Sequence, residues 1–145
     1  MLYIARLSAD RLSVDREMSF LHMPLEGGAL VHYRGLYYVV GSHLTGWSPN
    51  PNVYATAASL SGPWSKFRKI APASPDTYGS QSSTLLKVSG TKSTSVIFMG
   101  DIWKPKMLWD SRYLWMPLQI GNGHLRLPSP AQWTIDAKTG KTDIH

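Results

Sequence analysis

The residues best suited to chemistry lie in two loops. One is Gly41-Ser42-His43-Leu44-Thr45-Gly46-Trp47-Ser48-Pro49-Asn50-Pro51-Asn52 and the other is Thr77-Tyr78-Gly79-Ser80-Gln81-Ser82-Ser83. Both combine hydroxyls, amides, glycine and an aromatic ring, and both border strongly apolar runs. Loops of this composition on a rigid β scaffold are where binding and catalysis concentrate. An indole presents a large apolar face with one N–H donor, and hydroxyls and amides beside it suit a ligand rich in hydroxyl groups. With the Glu26 carboxyl upstream, these segments outline a pocket for a sugar. Turn chemistry accounts for Pro49-Asn50-Pro51-Asn52, and Trp47 is open to a second reading as a core residue.

Other chemistries find little support. The chain has no cysteine, which excludes a disulfide framework, a thiolate metal site and a cysteine nucleophile. His22, His32, His43, His124 and His145 have no metal-ligand spacing; only His43 belongs to a candidate loop. No cofactor or metal is expected. Fifteen basic against nine acidic residues leave a formal charge of +6, yet the cations are scattered. Lys66-Phe67-Arg68-Lys69 is the one cluster, it is short, and no nucleic-acid motif accompanies it. The expectation is no nucleic-acid partner. No apolar run approaches membrane-spanning length, and Arg6 places a charge too early for a signal peptide's apolar region. No membrane partner is expected.

The elements that must position these loops are short strands. Leu2–Leu7 reads as a strand ended by Ser8-Ala9-Asp10. Residues 29–33 and 36–41, joined at Arg34-Gly35, read as a hairpin. Residues 53–58 form a strand stopped by Ser61-Gly62-Pro63. Residues 84–88 and 95–99 make a second hairpin, and residues 113–120 and 124–127, joined at Gly121-Asn122-Gly123, a third. Trp133 opens a final strand. The polar stretch from Asp10 to Glu17 is too short and uncapped for a helix. The predicted class is all-β: a sandwich, a barrel or a propeller. Each hairpin follows a polar approach segment, so in a propeller Glu26, Gln81 and Arg112 would come from successive blades and converge on one cavity. A sandwich would scatter them over one end.

Several blocks, in order, carry a resemblance. They are Leu25-Glu26-Gly27-Gly28-Ala29-Leu30, Tyr37-Tyr38, Gly41 to Asn52, Tyr54-Ala55-Thr56-Ala57 before Ser61-Gly62-Pro63-Trp64, Thr77 to Ser82, Met99-Gly100-Asp101-Ile102-Trp103, and Trp109 to Leu118. Together they resemble glycoside hydrolase family 43, in the branch similar to galactan 1,3-β-galactosidases, over nearly the whole chain. The resemblance implies a five-bladed β-propeller with its active site in the central pocket. It also implies that residues 1–145 are the C-terminal portion of one propeller domain, roughly the last three blades. Family members are often secreted.

On that resemblance Glu26 takes the position of the general acid and Gln81 that of a pocket amide which holds the attacking water. Thr45, Trp47, Tyr78, Trp103 and Arg112 are candidates for substrate contact; Asp101 and Arg112 either bind sugar hydroxyls or pair with each other at a blade interface. The implied activity is exo-acting, inverting hydrolysis of β-1,3-galactan, with that polysaccharide as partner. The alternatives are a catalytically incomplete fragment that retains carbohydrate binding, and a family 43 hydrolase of arabinan or xylan. Gln81 argues against the latter. An open propeller leaves blade faces and strand edges uncovered, so self-association is expected.

Overall fold

Strands dominate because apolar side chains recur at alternate positions, which buries one face of each pleated segment. The computed structural model describes residues 1–145, all in strands, turns and loops apart from two 3-10 turns. The hairpin β1 (Leu2–Leu7) and β2 (Val14–Leu21) leads into a four-stranded antiparallel sheet. That sheet runs in the order β3 (Leu25–Tyr33), β4 (Leu36–His43), β5 (Val53–Ala57) and β6 (Arg68–Lys69). A three-stranded antiparallel sheet follows: β7 (Gln81–Ser89), β8 (Thr94–Ile102) and β9 (Arg112–Pro117). Two small ladders complete the chain, β10 (Gln119–Gly121) with β11 (His124–Arg126) and β12 (Trp133–Asp136) with β13 (Lys141–Ile144). No helix is long and apolar enough to cross a membrane.

The two larger sheets face each other across the main core. Ala29, Val31 and Tyr33 of β3 and Tyr38 and Val40 of β4 meet Leu85, Val96, Phe98, Leu114 and Met116. Leu125 and Leu127 close its edge, and the Leu127 N–H donates to the Ile70 carbonyl at 2.7 Å. On the other face of the first sheet, Val39 and Ala55 pack on Ile4 and Leu21. The layers are therefore β1–β2, then β3–β6, then β7–β9. This explains the unbroken apolar run Tyr38-Val39-Val40: β4 is covered on both sides, so alternation disappears.

Two expectations need correction. The polar segment after Asp10 enters strand β2 at Val14, where no strand was expected. β2 pairs only with β1, and its first four residues are all exposed, so burial imposes no apolar alternation on that half of it. The third hairpin also divides. Residues 112–117 pair with β8, register Met99 with Trp115, because Leu114 and Met116 cover the same core as Val96 and Phe98. Only Gln119–Gly121 pairs with β11, through a two-residue turn in which Asn122 and Gly123 take φ of 51° and 74°. Such turns suit the twist of a hairpin and favour Asn-Gly.

Candidate active site

Two bulges aim the key side chains. The β3–β4 register slips between Glu26 and Ala29, and the β7–β8 register slips between Ser82 and Thr84. A bulge re-aims a strand's side chains and commonly lies beside an active site. Here the bulges lie against each other, with the Ser82 hydroxyl donating to the Gly27 carbonyl at 2.7 Å. Gly27 has φ +59°, and a Cβ there would stand 2.2 Å from the Ser82 carbonyl oxygen. Only glycine fits that approach.

As a result Glu26 and Gln81, 55 residues apart, meet directly. The Gln81 Nε2 amide donates to Glu26 Oε1 at 2.9 Å and to the Ser42 hydroxyl at 3.0 Å. Gln81 Oε1 accepts from the Trp103 indole N–H at 3.0 Å. Trp103 in turn meets Trp47 edge to face, with ring centroids 5.5 Å apart, a favourable aromatic geometry. Gln81, Trp47 and Trp103 line a cleft of about 210 Å³, together with Ser42, Asn50 and Ser80 among others. No charged side chain lines it. Its surface of amides, hydroxyls and indoles suits a neutral, hydroxyl-bearing ligand better than a phosphate or a carboxylate. No group of three metal-ligating side chains comes together anywhere in the chain.

Beneath the cleft lies a buried polar hub that motif reading missed. Asn52 is fully buried. Its Nδ2 donates to the carbonyls of Asn50 (3.1 Å) and Ser80 (3.0 Å), and its Oδ1 accepts the Ser82 N–H at 2.6 Å. The Thr77 hydroxyl accepts the Asn52 N–H at 2.7 Å and donates to the Asn50 carbonyl at 3.1 Å. These bonds hold Thr77 and Tyr78 at φ of 55° and 56°, a left-handed conformation that costs a β-branched or bulky residue appreciable energy. Asn50 closes its own loop by bonding both the N–H and the carbonyl of His43. The only sequence signal was the Asn-Pro-Asn spacing, which reads as turn chemistry and carries no sign of burial.

Other candidates stand elsewhere. The Thr45 hydroxyl is engaged within its loop, donating to the Ser48 carbonyl at 2.6 Å and accepting from Asn50 at 2.7 Å, and Thr45 does not line the cleft. Tyr78 packs on the main core, with its hydroxyl 3.3 Å from that of Ser129. Arg112 is exposed at the start of β9 and pairs with Asp110, not with Asp101. The Lys104 ammonium, and after it Arg112, holds the Asp110 carboxyl below the usual carboxylate range. Arg112 opens β9, the third strand of the β7–β8–β9 sheet, and does not line the cleft with Gln81.

The whole arrangement has close structural counterparts. An exo-β-1,3-galactanase from Phanerochaete chrysosporium, solved with galactose, superposes with a TM-score of 0.88 at 35% identity, over 99% of this chain. The resemblance is to glycoside hydrolase family 43, in its β-1,3-galactan-directed branch. The same fungal enzyme has been solved with β-1,3-galactotriose at 34% identity. An exo-β-1,3-galactanase from Clostridium thermocellum matches with a TM-score of 0.86 and 28% identity over 99% of this chain. A family 43 β-1,3-galactosidase solved with galactodeoxynojirimycin matches 86% of the chain with a TM-score of 0.76 and 32% identity. The chain spans about a third of the length of these relatives: 33%, 32% and 37% of the fungal, clostridial and galactosidase chains. No protein-family model and no curated protein sequence matches it.

Proposed function

We propose that this chain supplies the acid-bearing part of a family 43 site that removes galactose from the end of β-1,3-galactan with inversion. The observation that carries the reading is the direct contact of Glu26 with Gln81, which itself lines an uncharged, tryptophan-walled cleft; Glu26 stands just behind that lining. Its likeness to enzymes solved with galactose and β-1,3-galactotriose supports the substrate class. The cleft is small beside ligand pockets of roughly 300–1,000 Å³, which favours one terminal ring over a threaded chain. Within that reading the two large sheets are successive blades of a five-bladed propeller, to which residues 1–145 contribute the C-terminal part.

The chemistry follows from the hydrogen bonds. Glu26 Oε1 accepts from Gln81, so the acid's proton belongs on Oε2. That proton passes to the glycosidic oxygen as its bond to the anomeric carbon breaks. A water attacks the same carbon from the other face of the ring and loses a proton to solvent. Gln81 is too weak a base to take that proton; its role is to hold the water. A water on the free lone pair of Gln81 Oε1 lies one amide and two hydrogen bonds from Glu26.

Proton NMR of fresh hydrolysate from β-1,3-galactotriose tests this. The α-anomer of galactose should appear first; the β-anomer first would refute the water's placement. A second reading, galactose binding without turnover, draws support from the absence of a carboxylate in the cleft lining. It predicts binding by calorimetry and no released sugar. The exposed apolar side chains on the outermost layers, Tyr3, Leu12 and Val14 on one and Trp109, Tyr113 and Trp115 on the other, support self-association as well.

A further inference from the structure

Gln81 has four polar valences to satisfy, two N–H donors and two lone pairs on Oε1. Three are used: both N–H groups face Glu26 and Ser42, and one lone pair faces Trp103. Rotating the amide by half a turn would exchange its nitrogen and oxygen. Two of the neighbours tolerate that exchange. The Ser42 hydroxyl donates or accepts as required, and a protonated Glu26 can do the same. The Trp103 indole cannot, because it only donates. After the flip its N–H would face the N–H of the amide. Trp103 is itself braced by Trp47, so it cannot swing aside without breaking an aromatic contact.

We propose that Trp103 is a positioning residue whose indole N–H fixes the orientation of the Gln81 amide. It thereby directs the amide N–H toward Glu26 and leaves a single Oε1 lone pair open to a water in the cleft. The inference rests on the glycosidase reading for its catalytic consequence, but the orientation itself can be observed without turnover. It differs from a stacking role, in which the indole face would hold the sugar and the N–H would be incidental. The aromatic contact and the N–H of Trp103 can be separated by one substitution, because Trp103→Phe keeps an aromatic ring, though a smaller one, against Trp47 and removes the donor. Trp103 is 39% exposed, so the smaller ring leaves no closed cavity.

The test is a double-mutant cycle on the full chain with β-1,3-galactotriose as substrate, comparing Trp103→Phe and Gln81→Ala, alone and combined. Trp103→Phe should lower kcat about tenfold or more, the scale of one lost orienting hydrogen bond. KM and the unfolding midpoint should hardly move. In the Gln81→Ala background the same substitution should be neutral within about twofold, because there is no amide left to orient. An equal loss in both backgrounds, or a loss confined to KM, would assign Trp103 to sugar stacking and overturn the proposal. Wild-type chain that releases no galactose would defeat the glycosidase reading instead. In that case the Gln81 side-chain amide signals in a ¹H–¹⁵N spectrum still decide. They should shift on Trp103→Phe, with loss of protection from exchange, and unchanged signals would refute the orientation.

Discussion

Glu26 and Gln81 owe their contact to buried residues that tie the neighbouring loops together. Asn52 is the chief of these, since its side chain ties Asn50, Ser80 and Ser82 together from a fully buried position. Asn52→Ala would leave two carbonyls and one N–H without these partners, and buried groups stranded in this way cost about 1–3 kcal/mol each before relaxation. Chemical denaturation should register a loss of at least about 2 kcal/mol, and the Trp103 fluorescence environment should change as the 77–82 loop shifts; an unaltered midpoint would mean the hub is dispensable. Glu26 and Gln81 were legible as candidates through the ordered blocks shared with family 43, and Trp47 and Trp103 because an indole beside amides and hydroxyls suits a sugar face. Asn52 was not, because a sequence does not state whether an amide beside proline ends a turn in water or anchors a loop in the interior. The local partner of the Thr45 hydroxyl, three residues away, was likewise not announced by its residue type.

At the scale of the strand, the paired bulges set the aim. The β3 bulge depends on Gly27, whose left-handed φ and 2.2 Å Cβ clearance from the Ser82 carbonyl leave no room for a side chain. Gly27→Ala must separate β3 from β7 or distort one of them. Stability should fall by about 1–3 kcal/mol through backbone strain, and any galactan activity should fall further than stability at a temperature where the variant remains folded. A thermal melt paired with an activity assay checks both; an active, unshifted Gly27→Ala would show that the close approach is unimportant. The hairpins themselves were legible. Arg34-Gly35 and Asn122-Gly123 are turns of a kind that two adjacent left-handed residues require. The assignment of residues 113–120 to a single hairpin strand held only at its end, because an apolar alternating strand pairs equally well with the next strand or the previous one. The decision lies in the core, where Leu114 and Met116 complete the face begun by Val96 and Phe98.

For the molecule as a whole, the layers end in two exposed aromatic or aliphatic surfaces. Trp109, in the turn before β9, is 84% exposed and Leu12, in the turn between β1 and β2, is 87% exposed, and apolar groups of this size at the surface promote association. Sedimentation velocity should reveal concentration-dependent species larger than a monomer, sensitive to Trp109→Ser with Tyr113→Ser; a single monomeric boundary at every concentration would contradict this. The all-β class was legible from strand spacing alone. The convergence of distant loops on one cleft became legible only through ordered blocks shared with family 43, because tertiary proximity leaves no periodic trace. The central claim is that Glu26 donates the proton that breaks a β-1,3-galactosidic bond. The most direct measurement is galactose release from β-1,3-galactan by wild type beside Glu26→Gln, which preserves shape and removes the acid. Release by wild type and a loss of at least about a hundredfold in Glu26→Gln, with matched unfolding midpoints, is the predicted result. Equal rates from the two proteins, or no release from folded wild type, would contradict it.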